Sequence, residues 1–118
     1  MRASDAIGDY GERLAERYLS GEGMQILDRR WRCRYGELDL VARDGECLVA
    51  CEVKTRRSIS AVPALESISA AKLARLRRLT AAWLADRGQG YTDIRIDLVA
   101  VTIPSRGAPV VEHLTGVG

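Results

Sequence analysis

Residues 36–56 hold two β-rich runs, Gly36-Glu37-Leu38-Asp39-Leu40-Val41-Ala42 and Cys47-Leu48-Val49-Ala50-Cys51-Glu52-Val53-Lys54-Thr55-Arg56, on either side of Asp44-Gly45. An Asp-Gly dipeptide supplies the positive φ that a tight turn demands, so the stretch is predicted to be an antiparallel hairpin. With Asp44-Gly45 as a two-residue loop, Arg43 faces Glu46, Val41 faces Leu48, Asp39 faces Ala50 and Glu37 faces Glu52. Side chains alternate along a strand, which places Glu37, Asp39, Glu52 and Lys54 on one face. The opposite face carries Leu38, Leu40, Ala42, Cys47, Val49, Cys51 and Val53, and it pins the register because a one-residue slip would bury the acids. Like charges directly opposite one another destabilise a sheet unless something positive lies between them, and a divalent cation would serve. The plainer alternative is a surface network in which Lys54 pairs with Glu52 or Asp39, a contact contributing about 0–1 kcal/mol.

The chain of 118 residues suits one domain, 1–118, with a single core. Its 47% hydrophobic and 29% charged content excludes a disordered protein, and with no Phe the core must be filled by Leu, Val, Ile and Ala. A net charge of +2 is nearly balanced, so partners must be inferred from where charges cluster. Cys33, Cys47 and Cys51 are odd in number and fall inside predicted strands, as expected of buried thiols in a reducing compartment. With one histidine in the chain, a zinc site is disfavoured. The polar, acidic N-terminus and the lack of a long apolar run point to a cytoplasmic protein with no membrane partner.

Helical spacing of Ile7, Leu14, Ala15, Tyr18 and Leu19 predicts a first helix over 4–20, with Ser4 as cap and Asp5 at its positive end. Gly8 and Gly11 are poor helix formers one turn apart and mark a close approach to the sheet. Glu12 borders the apolar stripe and, on spacing alone, is an exposed acid. A strand is predicted over 24–34, ending in Arg29-Arg30-Trp31-Arg32-Cys33-Arg34-Tyr35. Interleaved arginines and aromatics suit phosphate binding and base stacking, or equally a charged edge strand protected from aggregation. Beyond the hairpin, an irregular segment to Ser67 contains Pro63, a length often functional in a compact domain. A second helix over 69–86 has Ser69 as cap and Leu73, Leu76, Leu79, Trp83 and Leu84 as its core stripe, closed by Arg87-Gly88-Gln89-Gly90. Its Lys72, Arg75 and Arg78 line a neighbouring face that is either wet or laid along a phosphate backbone. Strands follow over 94–101 and 110–114. The strand–helix–strand succession predicts a crossover that sets the strand 94–101 parallel to one of the hairpin strands.

Gly8 and Gly11-Glu12 on the first helix, Gly36 through Ala42, and Glu52-Val53-Lys54-Thr55-Arg56 together resemble the YraN-like family, bacterial predicted endonucleases distantly related to archaeal Holliday-junction resolvases within the PD-(D/E)XK superfamily. The likeness runs from about Gly8 to Val101. A bare E-x-K is a weak signal, whereas the full spacing with an acidic strand and both helices is specific. The resemblance implies an α/β (α+β) fold: a restriction-endonuclease-like αβββαβ core whose mixed sheet combines an antiparallel hairpin with one parallel strand, flanked by helices. It implies Asp39 as the acidic ligand of the first motif strand, Glu52 and Lys54 as the E-x-K pair, Glu12 as a helical acid of the site, and Glu37 as a supporting acid or ligand. Glu-Leu-Asp stands where other members of the superfamily have Pro-Asp, and Cys51 stands where valine is usual.

The implied chemistry is hydrolysis of a DNA phosphodiester, with branched or structured DNA as substrate and pairing of two copies to meet two strands. Hard oxygen donors suit Mg²⁺ or Mn²⁺, for which Asp39, Glu52, Glu12 and the Val53 carbonyl are the expected ligands. Lys54 is expected to orient the attacking water and stabilise developing charge, since neighbouring carboxylates oppose the lowered pKa that a base requires. Arg30, Arg32, Arg34, Thr55, Arg56, Lys72 and Arg75 are the expected nucleic-acid contacts. The alternative is a degenerate nuclease fold that binds nucleic acid or a protein partner without cutting.

Overall fold

A computed structural model describes residues 3–57, 63–87 and 90–118, with side chains from residue 6 onward. The expected Ser4 cap, the Asp5 charge, the loop residues 58–62 and the Gly88-Gln89 stop lie outside the described groups. Helix α1 (Ala3–Gly21) leads into strands β1 (Gln25–Cys33), β2 (Gly36–Asp44) and β3 (Cys47–Arg57). A 3₁₀ turn at Ala64–Ser67, helix α2 (Ala70–Arg87), and strands β4 (Asp93–Ile103) and β5 (Val110–Leu114) follow. The strands form one sheet in the order β1-β2-β3-β4-β5, antiparallel except for the β3–β4 pair. The predicted parallel crossover is therefore present.

The hairpin forms two residues away from the predicted register. Asp44 pairs with Cys47, Arg43 with Leu48, Val41 with Ala50 and Leu40 with Cys51, leaving Gly45-Glu46 as the loop. The reason is local: Gly45 alone takes the positive φ, at 62°, and it occupies the first central position where a two-residue turn of type II′ needs it. A shift of two preserves side-chain parity, so Asp39 and Glu52 still share a side of the hairpin. The acids no longer pair as predicted, because the register carries Asp39, not Glu37, towards Glu52.

The two faces of the sheet are less different than the sequence implies. On one, Leu40, Ala42, Val49, Cys51, Val99 and Val101 pack under Ala15 and Leu19 of α1. On the other, Leu38, Val41, Leu48, Ala50 and Ile96 pack under Leu76, Leu79 and Trp83 of α2. Leu38 thus sits on the opposite side from Leu40, contrary to strict alternation. The β1–β2 pairing shifts register between Ile26 and Asp28, and Arg30, opposite Asp39, has φ of 49°. The Asp39 face is polar only at the strand end and is covered by α2 further along.

Helix α2 starts as its sequence directs. The Lys72 N–H donates to Ser69 Oγ at 3.1 Å, the expected cap of α2. Thr80 joins its buried stripe by donating from Oγ1 to the Leu76 carbonyl at 2.7 Å. Gly11 is the close approach of α1: a Cβ there would fall within 2.8 Å of Thr55 Cβ and Cγ2. Gly8 faces open space, so its predicted contact with the sheet is absent. The cysteines are free thiols, Cys51 buried and Cys33 and Cys47 half-buried; burial pushes the Cys51 and Cys47 thiols up. Among the described residues no helix is long and apolar enough to cross a membrane.

Candidate active site

Past Leu40–Cys51 the β2–β3 ladder stops, and the Asp39 side chain takes over from its backbone. Its Oδ2 accepts the Val53 N–H at 2.8 Å, which anchors the carboxylate at the splayed end of the two strands. Here α1 and α2 converge from opposite faces of the sheet. The resulting open cleft, about 490 Å³, is lined by Glu12, Asp39, Glu52, Val53, Lys54, Thr55, Arg56, Arg57 and Lys72, with Ile7 and Gly8 at its α1 side. Gly11 lets α1 lie against Thr55 and so delivers Glu12 to the cleft.

Charge is concentrated. Burial first, then the Glu52 carboxylate, pushes Asp39 up to about 8, against the lowering effect of the Val53 N–H. A hydrogen bond between the Asp39 and Glu52 carboxyl groups adds to the rise. Near neutral pH Asp39 therefore holds its proton. Burial, Glu37 and Glu52 in turn raise Glu12. Three carboxyl groups lining one wet cleft, with hard oxygen atoms, fit a Mg²⁺ or Mn²⁺ ion by donor chemistry.

Their resting positions are nevertheless apart. Among the described residues, no three His, Cys, Asp or Glu side chains stand together as a ready metal cage. Each acid has its own internal partner: Glu52 pairs with Lys72 of α2, Glu12 accepts from Arg30 Nε at 2.9 Å, and Asp39 is held by Val53. Glu37 lies to one side, paired across the strands with Arg32 at 3.6 Å, and does not line the cleft. Lys54 is exposed at the cleft.

The expected nucleic-acid contacts divide in two. Arg30 is paired with Asp9 and Glu12, Arg32 with Glu37, and Arg34 with the Tyr35 hydroxyl at 2.7 Å, its guanidinium lying over that ring. The basic run thus lies along the edge strand β1 and the turn after it, with its arginines on neighbouring side chains. Thr55, Arg56 and Lys72 do line the cleft; Arg56 also donates to Thr102 Oγ1 at 3.3 Å. Arg75 is exposed on α2, one turn beyond Lys72.

A second polar cluster was not anticipated. Asp97, fully buried on β4, accepts from Arg95 Nε at 2.9 Å and from the Gly116 N–H at 2.9 Å, and lies 2.7 Å from His113 Nε2. It joins β4, β5 and the C-terminal segment. The signal available in the sequence was an acid inside the apolar run Ile94–Val101, since a buried carboxylate must be paired.

The architecture, a mixed sheet with one parallel pair and a helix on each face, is consistent with a restriction-endonuclease-like core, and the site it carries is a carboxylate-lined cleft at the strand ends. Residues 11–101 match the family described as Uncharacterised protein family UPF0102. A UPF0102 protein of Kineococcus radiotolerans is 60% identical over 118 residues, covering 99% of this chain and 97% of its own. One from Beutenbergia cavernae is 57% identical with both chains fully covered, and one from a Nocardioides species is 54% identical over 96% of this chain and 91% of its own. The chain belongs to the UPF0102 family, the YraN-like family that its motifs resemble.

Proposed function

We propose that this protein is a metal-dependent endonuclease that hydrolyses DNA phosphodiesters, with branched or structured DNA as its substrate, in the PD-(D/E)XK superfamily and distantly related to archaeal Holliday-junction resolvases. The observation that carries the reading is the pairing of Asp39 with Glu52 at the end of the β2–β3 ladder, where their repulsion and burial push Asp39 up to about 8. A fold tolerates such a pair at a cost, and a divalent cation repays it. Asp39, Glu52 and Glu12 would hold Mg²⁺ or Mn²⁺ with the Val53 carbonyl. When bound, the ion supplies charge neutralisation at the phosphate and the leaving oxygen. Lys54, at the open side of the cleft, orients the attacking water and offsets charge as it develops. Thr55, Arg56 and Lys72 face the space that a phosphate backbone would occupy. The protein would act in the cytoplasm.

One observation favours a second reading. The acids rest on Lys72, Arg30 and Val53 and do not form a ready cage, as in a nuclease fold that binds nucleic acid without cutting. Incubating the purified protein with linear, single-stranded, flapped and four-way-junction DNA in Mg²⁺ or Mn²⁺ separates the two. Cleavage lost in Asp39→Ala and Lys54→Ala supports the enzyme; binding without cleavage across the panel supports the second reading.

A further inference from the structure

Lys72 stands in a place that helix electrostatics disfavours. It lies in the first turn of α2, its own N–H capped by Ser69, where the helix presents its positive end and an added cation is repelled. What holds its ammonium there is Glu52, whose side chain is 14% exposed against 30% for Lys72. Glu52 therefore has Lys72 on one side and the Asp39 carboxyl on the other. Arg30 of β1 pairs likewise with Glu12. Both glutamates are thus partnered by the chain's own cations.

A divalent ion held by Asp39 and Glu52 would sit within a few ångströms of the Lys72 ammonium, and like charges at that separation repel strongly in a partly desolvated cleft. The flexible four-carbon stem gives the ammonium freedom to move, and the cleft it already lines is open to solvent. We propose that Lys72 is an exchangeable counter-ion: it holds Glu52 while the metal is absent, leaves it when the metal binds, and then offers its charge to a phosphate of the substrate. The inference rests on the metal site proposed above. Its consequence is reciprocal coupling, because a metal that frees Lys72 strengthens binding of the nucleic acid, and the nucleic acid must strengthen binding of the metal by the same factor. Lys72 is thereby a positioning residue that links two ligands.

The test is calorimetric titration of Mn²⁺ into the full chain, alone and with a saturating short blunt DNA duplex. Wild type is compared with Lys72→Gln, Lys72→Arg, Arg77→Gln and Glu52→Gln. Without DNA, Lys72→Gln is expected to bind Mn²⁺ about three- to fivefold more tightly than wild type, the size of a partly exposed ion pair. Arg77→Gln, which loses the same charge from an exposed position of α2 that does not line the cleft, should match wild type. The duplex should tighten Mn²⁺ binding in wild type and in Lys72→Arg, and much less in Lys72→Gln; Lys72→Met gives the same readout if the glutamine variant aggregates. Equal Mn²⁺ affinity in wild type and Lys72→Gln, or a gain in DNA-free Mn²⁺ affinity in Arg77→Gln as large as that in Lys72→Gln, overturns the exchange while leaving the metal site standing, provided Glu52→Gln abolishes binding. Absence of Mn²⁺ uptake by wild type overturns both.

Discussion

Asp39 is the residue on which pH acts. Its carboxyl is raised from an ordinary 3.8 to about 8, so the folded state binds its proton more tightly than the unfolded state does. The stability this contributes is fully present below about pH 4 and is lost as pH rises through 8. Metal-free protein should therefore lose stability between those limits. Asp39→Asn, which keeps an acceptor for Val53 but carries no charge, should be the more stable at pH 8 by about 1 kcal/mol or more; denaturant melts across pH measure this, and parallel curves for the two proteins would count against it. Gly11 makes a steric counterpart. Gly11→Ala should cost about 1–3 kcal/mol because the new methyl meets Thr55, and Thr55→Ala in the same chain should recover part of that loss, as a double-mutant cycle would show. Asp39, Glu52 and Lys54 were legible because strand alternation and an E-x-K spacing are local facts. Glu12 was reached only through the family resemblance, since its spacing on α1 is that of a surface acid and only the approach at Gly11 brings it inward. The Lys72–Glu52 pair was equally hidden, because it depends on where α2 begins after a long connection.

Helix α2 shows how an element positions chemistry from its end. Ser69→Ala removes the acceptor for the Lys72 N–H and should cost about 1 kcal/mol in thermal or denaturant melts. An unchanged midpoint would mean that water replaces the cap. At the other side of the sheet, β5 is tied down by Asp97. Asp97→Ala leaves Arg95 with Asp44 and His113, only 7% of its side chain exposed, with Glu22, and should destabilise by about 3–5 kcal/mol. A loss below about 1 kcal/mol in denaturant unfolding would show that the cluster is not the clasp it resembles. The sequence marked β5 correctly but gave no hint of its clasp, for the partners lie far apart along the chain.

For the molecule as a whole, element order and the parallel crossover were readable because periodicity and connection rules act over short stretches. The register of the hairpin and the two-sided burial of the sheet were not. Register turned on which turn position Gly45 would fill, and burial turned on α2 packing over the face that alternation assigns to the acids. The displaced register strengthens the functional reading, since it carries Asp39 towards Glu52 at the cleft and sets Glu37 aside. The central claim is that this cleft uses a divalent ion to break a phosphodiester. Its most direct test is the rate of four-way-junction DNA cleavage in Mg²⁺ or Mn²⁺, wild type against Asp39→Asn, with folding of both verified by melting. The predicted result is metal-dependent strand cleavage, abolished by chelation and reduced by about a thousandfold or more in the variant. Cleavage that persists in Asp39→Asn, or a wild type that leaves the junction intact in either metal, would contradict it.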